Sequence, residues 1–234
     1  GIAVDANGIV HVVDASARRL VVYDAIGLFQ RAIDGAAEWV RPTGVAVSAD
    51  GARLHVVDTG GVESDAHRVL SYDAQGRLLR SIGRRGEAAG EFNLPVDAAL
   101  APDGLLWVLD AGNFRLQAFD EQGRFVRAFG SPGNGLGQFG RPRGLAIDRE
   151  GLIYVSDASF GNVQVFRAAG QLLRARGSRA AQDGPGRFSL PSGVACDETG
   201  RVYVVDQFFH KVEVLRRLGD AEGQQRLREA LAAA

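Results

Sequence analysis

Residues 104–119 read Gly104-Leu-Leu-Trp-Val-Leu-Asp-Ala-Gly-Asn-Phe-Arg-Leu-Gln-Ala-Phe119, and this stretch decides the fold. An apolar segment closes at Asp110, a short polar loop follows, and a second alternating segment begins at Arg115. Segments of about five residues are typical of β-strands and are too short for a stable helix. The stretch therefore predicts two successive strands, the first of which ends at Asp110.

The same pattern occurs five times along the chain, each time with an aspartate that closes a β-branched run. The five tetrapeptides are His-Val-Val-Asp14, His-Val-Val-Asp58, Trp-Val-Leu-Asp110, Tyr-Val-Ser-Asp157 and Tyr-Val-Val-Asp206. Successive aspartates are 44, 52, 47 and 49 residues apart. A period of about 40 to 50 residues indicates propeller blades or solenoid units.

Each repeat contains strand-length segments that are joined by glycine turns. Turns such as Ala-Asn-Gly8, Ala-Asp-Gly51 and Pro-Asp-Gly104 supply the positive φ that tight β-turns need. A second set of glycine turns leads into fourth strands at 28–33, 77–82, 124–129 and 171–175. Four-stranded units that repeat radially form the blades of a β-propeller. No helical periodicity precedes residue 220, which excludes a βαβ sheet, and the period is wrong for a leucine-rich horseshoe.

We therefore predict an all-β fold, a β-propeller of four-stranded antiparallel blades that forms one domain over residues 1–219. Residues 220–234 are predicted to form a short C-terminal helix, because Asp220 is a suitable N-cap and Leu227 and Leu231 lie four residues apart on one face.

The repeat resembles the NHL repeat, and the resemblance spans residues 1–219. It is carried by Asp110-Ala-Gly-Asn-Phe-Arg-Leu-Gln-Ala-Phe119 with its flanking glycine turns. The lead segments into the innermost strands support it: Gly-Glu-Phe92-Asn-Leu-Pro95, Gly-Gln-Phe139-Gly-Arg-Pro142 and Gly-Arg-Phe188-Ser-Leu-Pro191. The resemblance implies a bacterial-type NHL propeller, typically six-bladed. Such proteins are mostly binding platforms, with a minority of lyases and hydrolases.

Only five repeats are visible, and the fifth has no fourth strand. An open ring leaves two unpaired sheet edges, which natural proteins avoid by closure. We expect a sixth blade from upstream sequence or a partner that caps the gap, and a closed five-bladed ring is the alternative. The absence of methionine, even at position 1, indicates a processed chain or a piece of a longer one.

Composition excludes some classes of partner. Lys+Arg 27 against Asp+Glu 28 leaves no net attraction to nucleic acid or anionic lipid, and no apolar run is long enough to cross a bilayer. We therefore expect no nucleic-acid partner and no direct membrane insertion. Scarcity of thiols, with Cys196 alone, fits an extracytoplasmic location, periplasmic or secreted.

Several repeated polar residues are predicted to be structural. Four repeats carry a basic residue after the strand-closing aspartate, where the two side chains form a charge-assisted clamp. These basic residues are Arg19, Arg68, Arg115 and Lys211. His11 and His55 occupy the position of Trp107, Tyr154 and Tyr203, so we interpret them as packing residues. Cys196 lies on an innermost strand, where an inert thiol is expected.

Strand parity places the long loops on one face of the propeller and only tight turns on the other. The loop face carries aromatic residues from three successive repeats, and exposed aromatic clusters mark protein interfaces. The candidate partner site contains Phe114, Phe160, Phe208, Phe209 and His210. In the alternative interpretation, each ring is buried in its own blade junction.

A second candidate site lies at the mouth of the central channel on the same face. Polar residues precede or begin the innermost strands, and such a funnel suits a small anionic ligand or a peptide terminus. These residues are Arg41, Thr43, Asp97, Arg143 and Ser192.

We predict a non-catalytic protein-binding or scaffold module, a subunit of a larger extracytoplasmic complex, with no catalytic residues. Amidating lyases of the NHL type hold zinc with channel histidines, and no histidine spacing here matches such a ligand set. We therefore expect no metal site and no cofactor. The alternative is a lyase or hydrolase that acts on a small-molecule or peptide ligand at the channel mouth through Asp97 and Arg143, together with a metal ion.

Overall fold

The computed structural model describes residues 1–216, 225, 228 and 229, and it contains five antiparallel sheets in sequence order. Blade 1 contains β1 (Ile2–Val4), β2 (Val10–Asp14), β3 (Arg19–Tyr23) and β4 (Phe29–Asp34). Blade 2 contains β5 (Pro42–Val47), β6 (Arg53–Asp58), β7 (Arg68–Asp73) and β8 (Leu78–Ile82). Blade 3 contains β9 (Pro95–Leu100), β10 (Leu106–Asp110), β11 (Arg115–Phe119) and β12 (Phe125–Phe129). Blade 4 contains β13 (Pro142–Ile147), β14 (Ile153–Asp157), β15 (Asn162–Phe166) and β16 (Leu172–Arg176).

Blade 5 has three strands within the described residues, namely β19 (Pro191–Cys196), β20 (Arg201–Asp206) and β21 (Lys211–Arg216). The lead into this blade contains a short parallel pair, β17 (Ser178–Arg179) and β18 (Arg187–Phe188). A single turn of 3-10 helix, Ala111–Asn113, lies in the loop of blade 3.

The predicted all-β propeller with antiparallel blades is confirmed. All four predicted fourth strands begin one residue later than the spacing predicts, and those of blades 1 and 4 also end one residue later. The predicted helix over residues 220–234 lies outside the described residues, apart from three helical positions, Gln225, Arg228 and Glu229. No helix in the described part of the chain is long and apolar enough to cross a bilayer.

The core is divided among the junctions between neighbouring blades. Four separate apolar clusters fill the four junctions from blade 1 to blade 5. One aromatic residue from each lead segment is at most 1% exposed and fills a junction: Trp39, Phe92, Phe139 and Phe188. A glycine faces each ring. If Gly83 or Gly130 were replaced by alanine, the new Cβ would lie within 2.7 Å of ring carbons. The glycine and the aromatic residue therefore form one packing unit that repeats around the ring.

The strand-closing aspartates join each loop to the lead segment of the same blade. Asp58, Asp110, Asp157 and Asp206 are fully buried, and each accepts backbone N–H groups from its lead segment. The Arg–Asp clamp is present at Arg115, whose Nε lies 2.9 Å from Asp110 Oδ2, and at longer distance in blades 1 and 2. In blade 5 the expected pair is not formed. Lys211 Nζ instead lies 2.7 Å from Asp183 Oδ1 and 2.9 Å from Glu213 Oε2.

Candidate functional site

The exposed aromatic surface on the loop face is smaller than the sequence predicts. Phe208 has 59% of its surface exposed, and His210 beside it is also exposed. Phe209 is half-buried, and its ring meets that of Phe208 edge to face, with 5.3 Å between centroids. Lys211 Nζ lies 5.6 Å from the centroid of Phe209, within the range of a cation–π contact. Blade 5 therefore presents a compact aromatic and cationic patch, which we call the blade 5 patch (Phe208, Phe209, His210 and Lys211).

The other two predicted aromatics are only partly exposed. Phe114 packs at the edge of the cluster between blades 3 and 4, and its backbone has a φ of 54° in the left-handed region. Phe160 is half-buried, and a Cβ at Gly140 would lie 3.3 Å from the tip of its ring. Among the described ring contacts, none joins Phe114 or Phe160 to the blade 5 patch. The junction interpretation therefore describes Phe114, whereas Phe160 lies against the lead segment of its own blade.

Asp97 has an unusual position at the axis of the propeller. The other repeats carry glycine at this register, as Gly1, Gly44, Gly144 and Gly193. Glycine suits the site because neighbouring inner strands nearly touch there, and a Cβ at Gly144 would lie 2.3 Å from Ser192 O. In blade 3 the carboxylate of Asp97 occupies this crowded position. An alanine at position 44 would place its Cβ 2.9 Å from Asp97 Oδ1.

The carboxylate of Asp97 links two blades. Its Oδ2 accepts the N–H of Leu145 from blade 4 at 2.9 Å, and its Oδ1 accepts the N–H of Ala98 at 3.0 Å. Burial is the largest influence on this group and raises the pKa of Asp97 to about 6, against the lowering effect of both hydrogen bonds. A carboxyl group with this pKa exchanges a proton near neutral pH.

The remaining residues of the channel mouth form hydrogen bonds within the ring or project outward. Thr43 Oγ1 donates to Val96 O at 3.0 Å, and Ser192 Oγ donates to Val205 O at 3.3 Å. Arg41 and Arg143 are exposed, and burial of part of the guanidinium lowers the pKa of Arg143. No ion pair joins Arg143 to Asp97 within the described residues.

The turn face carries two open grooves that the sequence did not indicate. One, of about 750 Å³, lies between blades 2 and 3 beside His55, and another, of about 510 Å³, lies between blades 3 and 4. His55 Nδ1 lies 2.8 Å from Ser71 Oγ, and burial lowers the pKa of His55 to about 4. Each groove is lined by the tight turns of two neighbouring blades.

Other groups that the sequence assigns to packing remain unreactive in this setting. His11 is 2% exposed and His55 is 8% exposed, as expected for packing residues. Burial raises the pKa of the Cys196 thiol to about 12, which disfavours the nucleophilic thiolate. In the part of the chain that the structure describes, no group of three or more His, Cys, Asp or Glu side chains is arranged to hold a metal ion.

Asp97 and His55 are expected to give opposing pH dependences of stability. The folded state holds the Asp97 proton up to about pH 6, whereas the unfolded state releases it near its ordinary value of 3.8, so this group's stabilisation is lost as pH rises between them. In the unfolded state His55 gains a proton below pH 6.5, whereas in the folded state it does so only near pH 4. The free energy of unfolding therefore falls as pH falls from 6.5 to 4.

Variants of each residue are expected to separate the two effects. Each effect is a change in the free energy of unfolding on the order of 2 to 3 kcal/mol. Relative to the wild type, Asp97→Asn should become more stable as pH rises from 4 to 6.5, and His55→Gln should become less stable. Urea denaturation at pH 4, 5, 6 and 7 measures both slopes. Parallel curves for the wild type and Asp97→Asn would show that Asp97 ionises normally.

The fold defines this chain as a β-propeller, and comparison with known proteins supports that class. A family model for DUF5128, described as a 6-bladed beta-propeller, matches residues 95–176. A solved streptogramin B lyase superposes with a TM-score of 0.61 at 13% identity, covering 94% of this chain and 68% of that one. Selenomethionine-substituted virginiamycin B lyase from Staphylococcus aureus superposes with a TM-score of 0.63 at 11% identity, covering 94% of this chain and 70% of that one. At these identities the likeness establishes the fold alone.

Proposed function

We propose that this chain is an NHL-type propeller that acts as a non-catalytic binding module and holds a protein partner on its loop face. The observation that carries the proposal is the exposure of Phe208 at the centre of the blade 5 patch. In the equivalent loop of blade 4, Ser159 occupies this position and Phe160 is half-buried. Blade 4 thus carries one half-buried phenylalanine in this loop, whereas blade 5 carries a second phenylalanine that faces solvent.

The chemistry of the blade 5 patch favours a protein partner. Exposed aromatic rings contribute much of the binding energy in protein interfaces because they bury a large area at little cost in side-chain entropy. The ammonium of Lys211 is held by two carboxylates, Asp183 and Glu213, so the patch has no excess positive charge for a phosphate backbone. We propose an extracytoplasmic setting, consistent with the single cysteine.

A photo-cross-linking experiment tests the interface. Benzoylphenylalanine at position 208 is expected to form a discrete adduct with a partner protein on irradiation of cells that produce the chain. The matched control is the same substitution at Phe29, which is 63% exposed on the outer strand of blade 1. Equal yields at the two positions would contradict the proposed interface.

The variant Phe208→Ser is expected to weaken partner capture by on the order of tenfold to a hundredfold, because a central aromatic anchor is lost. Its melting temperature should change by less than about 2 °C, because an exposed ring contributes little to folding. Differential scanning fluorimetry separates the two effects. Unchanged capture by a folded variant would refute the role of Phe208.

The second candidate is a lyase or hydrolase that acts at the channel mouth. Asp97 favours it, since a carboxylate with a pKa near 6 in a glycine position at the axis is suited to proton transfer. The fold is shared with two streptogramin-type lyases. Incubation with virginiamycin B, followed by liquid chromatography coupled to mass spectrometry, tests this activity, because chromatography separates the substrate from a ring-opened product of equal mass. Loss of the intact compound with the wild type but not with Asp97→Asn would support it, and elemental analysis would detect an associated metal.

A further inference from the structure

In three blades, the aspartate that follows the first strand places its carboxylate beside a polar atom of a ring on the second strand. The tyrosine hydroxyls of blades 4 and 5 donate to these carboxylates at 2.8 and 2.9 Å, and the imidazole of blade 1 lies 3.8 Å from its carboxylate. The three pairs are Tyr154 with Asp148, Tyr203 with Asp197, and His11 with Asp5. A carboxylate beside this ring is therefore a recurring contact of the repeat.

Blade 2 has the ring without the carboxylate. Ser48 stands where the three blades have aspartate, and its hydroxyl donates to Asp50. His55 is 8% exposed, and its Nδ1 lies 2.8 Å from Ser71 Oγ. Among the described residues, no group forms a hydrogen bond with His55 Nε2, and the ring lines the groove between blades 2 and 3. A nearly buried imidazole therefore has an unused nitrogen at the register where three other blades supply a carboxylate.

The groove beside His55 combines an apolar wall with positive charge. The wall belongs to blade 3 and includes Leu100 and Leu106. Burial, and after it the positive charges of Arg53 and Arg80, lower the pKa of His55 to about 4. The charge that acts on the imidazole is therefore positive, which favours a negatively charged group at the unused nitrogen.

The carboxylates at the rim of the groove have partners in their own turns or in the neighbouring blade. Their partners are a hydroxyl, a backbone N–H or a guanidinium: Asp50 with Ser48, Asp103 with Leu105, Asp120 with Arg124, and Glu121 with Arg53. In the part of the chain that the structure describes, Arg80 has no carboxylate within ion-pair distance. Its guanidinium is therefore available to a ligand.

We propose that the groove between blades 2 and 3 binds a small organic carboxylate, whose carboxyl group takes the place of the missing aspartate beside His55. Neutral His55 donates from Nε2 when its Nδ1 accepts the proton of the Ser71 hydroxyl. The apolar part of the ligand then lies against blade 3, in a groove of about 750 Å³, a volume typical of small-molecule sites. This site is on the turn face, so it is independent of the blade 5 patch and of the channel mouth.

Titration with benzoate, followed by proton–nitrogen NMR spectra of the histidine rings at pH 5 and pH 7, tests the site. The His55 signals are expected to shift with a Kd of about 1 mM. Binding should be about threefold tighter at pH 5, because a bound carboxylate favours the protonated imidazole. His11 is the control within the same spectra, since Asp5 already occupies its position. Benzamide, which is uncharged, should bind at least about tenfold more weakly.

Ser48→Asp restores the carboxylate within the chain and should weaken benzoate binding at least about tenfold, because the position is then occupied. Ser48→Ala is the matched control and should bind within about twofold of the wild type. Unchanged His11 signals report that each variant is folded. The proposal is overturned if benzoate up to about 20 mM leaves His55 of the wild type unshifted. It is also overturned if His11 shifts as much as His55, if benzamide binds as tightly as benzoate, or if folded Ser48→Asp binds like the wild type.

Discussion

Replacing Asp110 with alanine is expected to lower the free energy of unfolding by about 3 to 5 kcal/mol, because several buried donors lose one acceptor. The carboxylate is fully buried and accepts the N–H of Asn93 at 2.7 Å and Arg115 Nε at 2.9 Å. Asn113 Nδ2 and Gln117 Nε2 donate to its second oxygen. Chemical denaturation at pH 7 measures the loss, and Asp110→Asn should retain part of the network.

Asp14 provides the matched control for this prediction. It closes the equivalent strand of blade 1, but its side chain is 35% exposed and its contact with Arg19 is longer, at 3.5 Å. Asp14→Ala should therefore destabilise the protein far less than Asp110→Ala. Similar losses for the two variants would mean that the aspartate acts locally in its loop, and that the buried network contributes little.

Replacing Phe139 with alanine is expected to lower the free energy of unfolding by about 3 to 5 kcal/mol, because removal of the buried ring leaves a cavity between rigid blades. Phe139 is 0% exposed and packs 5.7 Å from the ring of Phe166, between centroids. Gly130 lies directly against the ring and has a φ of 113°, so it contributes no side chain that could fill the space. Thermal and urea unfolding measure the effect.

The control for this cavity is Phe29→Ala on the outer strand of blade 1. Phe29 is 63% exposed and touches Tyr23 edge to face. Its removal should cost less than about 1 kcal/mol, as is usual for a surface position. Comparable losses at Phe139 and Phe29 would show that the junction collapses around the missing ring.

Local sequence was sufficient to predict the strands, because the residues that define each strand lie within a few positions of one another. Alternating apolar residues closed by an aspartate predicted the second strand of each repeat, and these strands end at the five aspartates. The glycine turns were equally local, since Gly8, Gly51 and Gly104 all have positive φ. The period then predicted the blades, since a four-stranded unit of this size buries its faces only against neighbours.

The candidate site was only partly accessible from sequence. The position of Phe208 on the loop face followed from strand parity, but its exposure depends on the chain around it. Asp97 carried a signal that could have been used more fully, because it is the one non-glycine residue at its register in five repeats. The crowding that makes this register special involves inner strands from three blades.

The sequence by itself determined the repeat, the antiparallel blades and the face on which each loop lies, because all three follow from short-range patterning and strand parity. Only the tertiary structure decided which aromatic rings face solvent, that Lys211 pairs with Asp183, and that the carboxyl group of Asp97 holds its proton to about pH 6. These properties depend on contacts between residues about 25 to 50 positions apart, where burial and distance are set by the packing of one blade on the next.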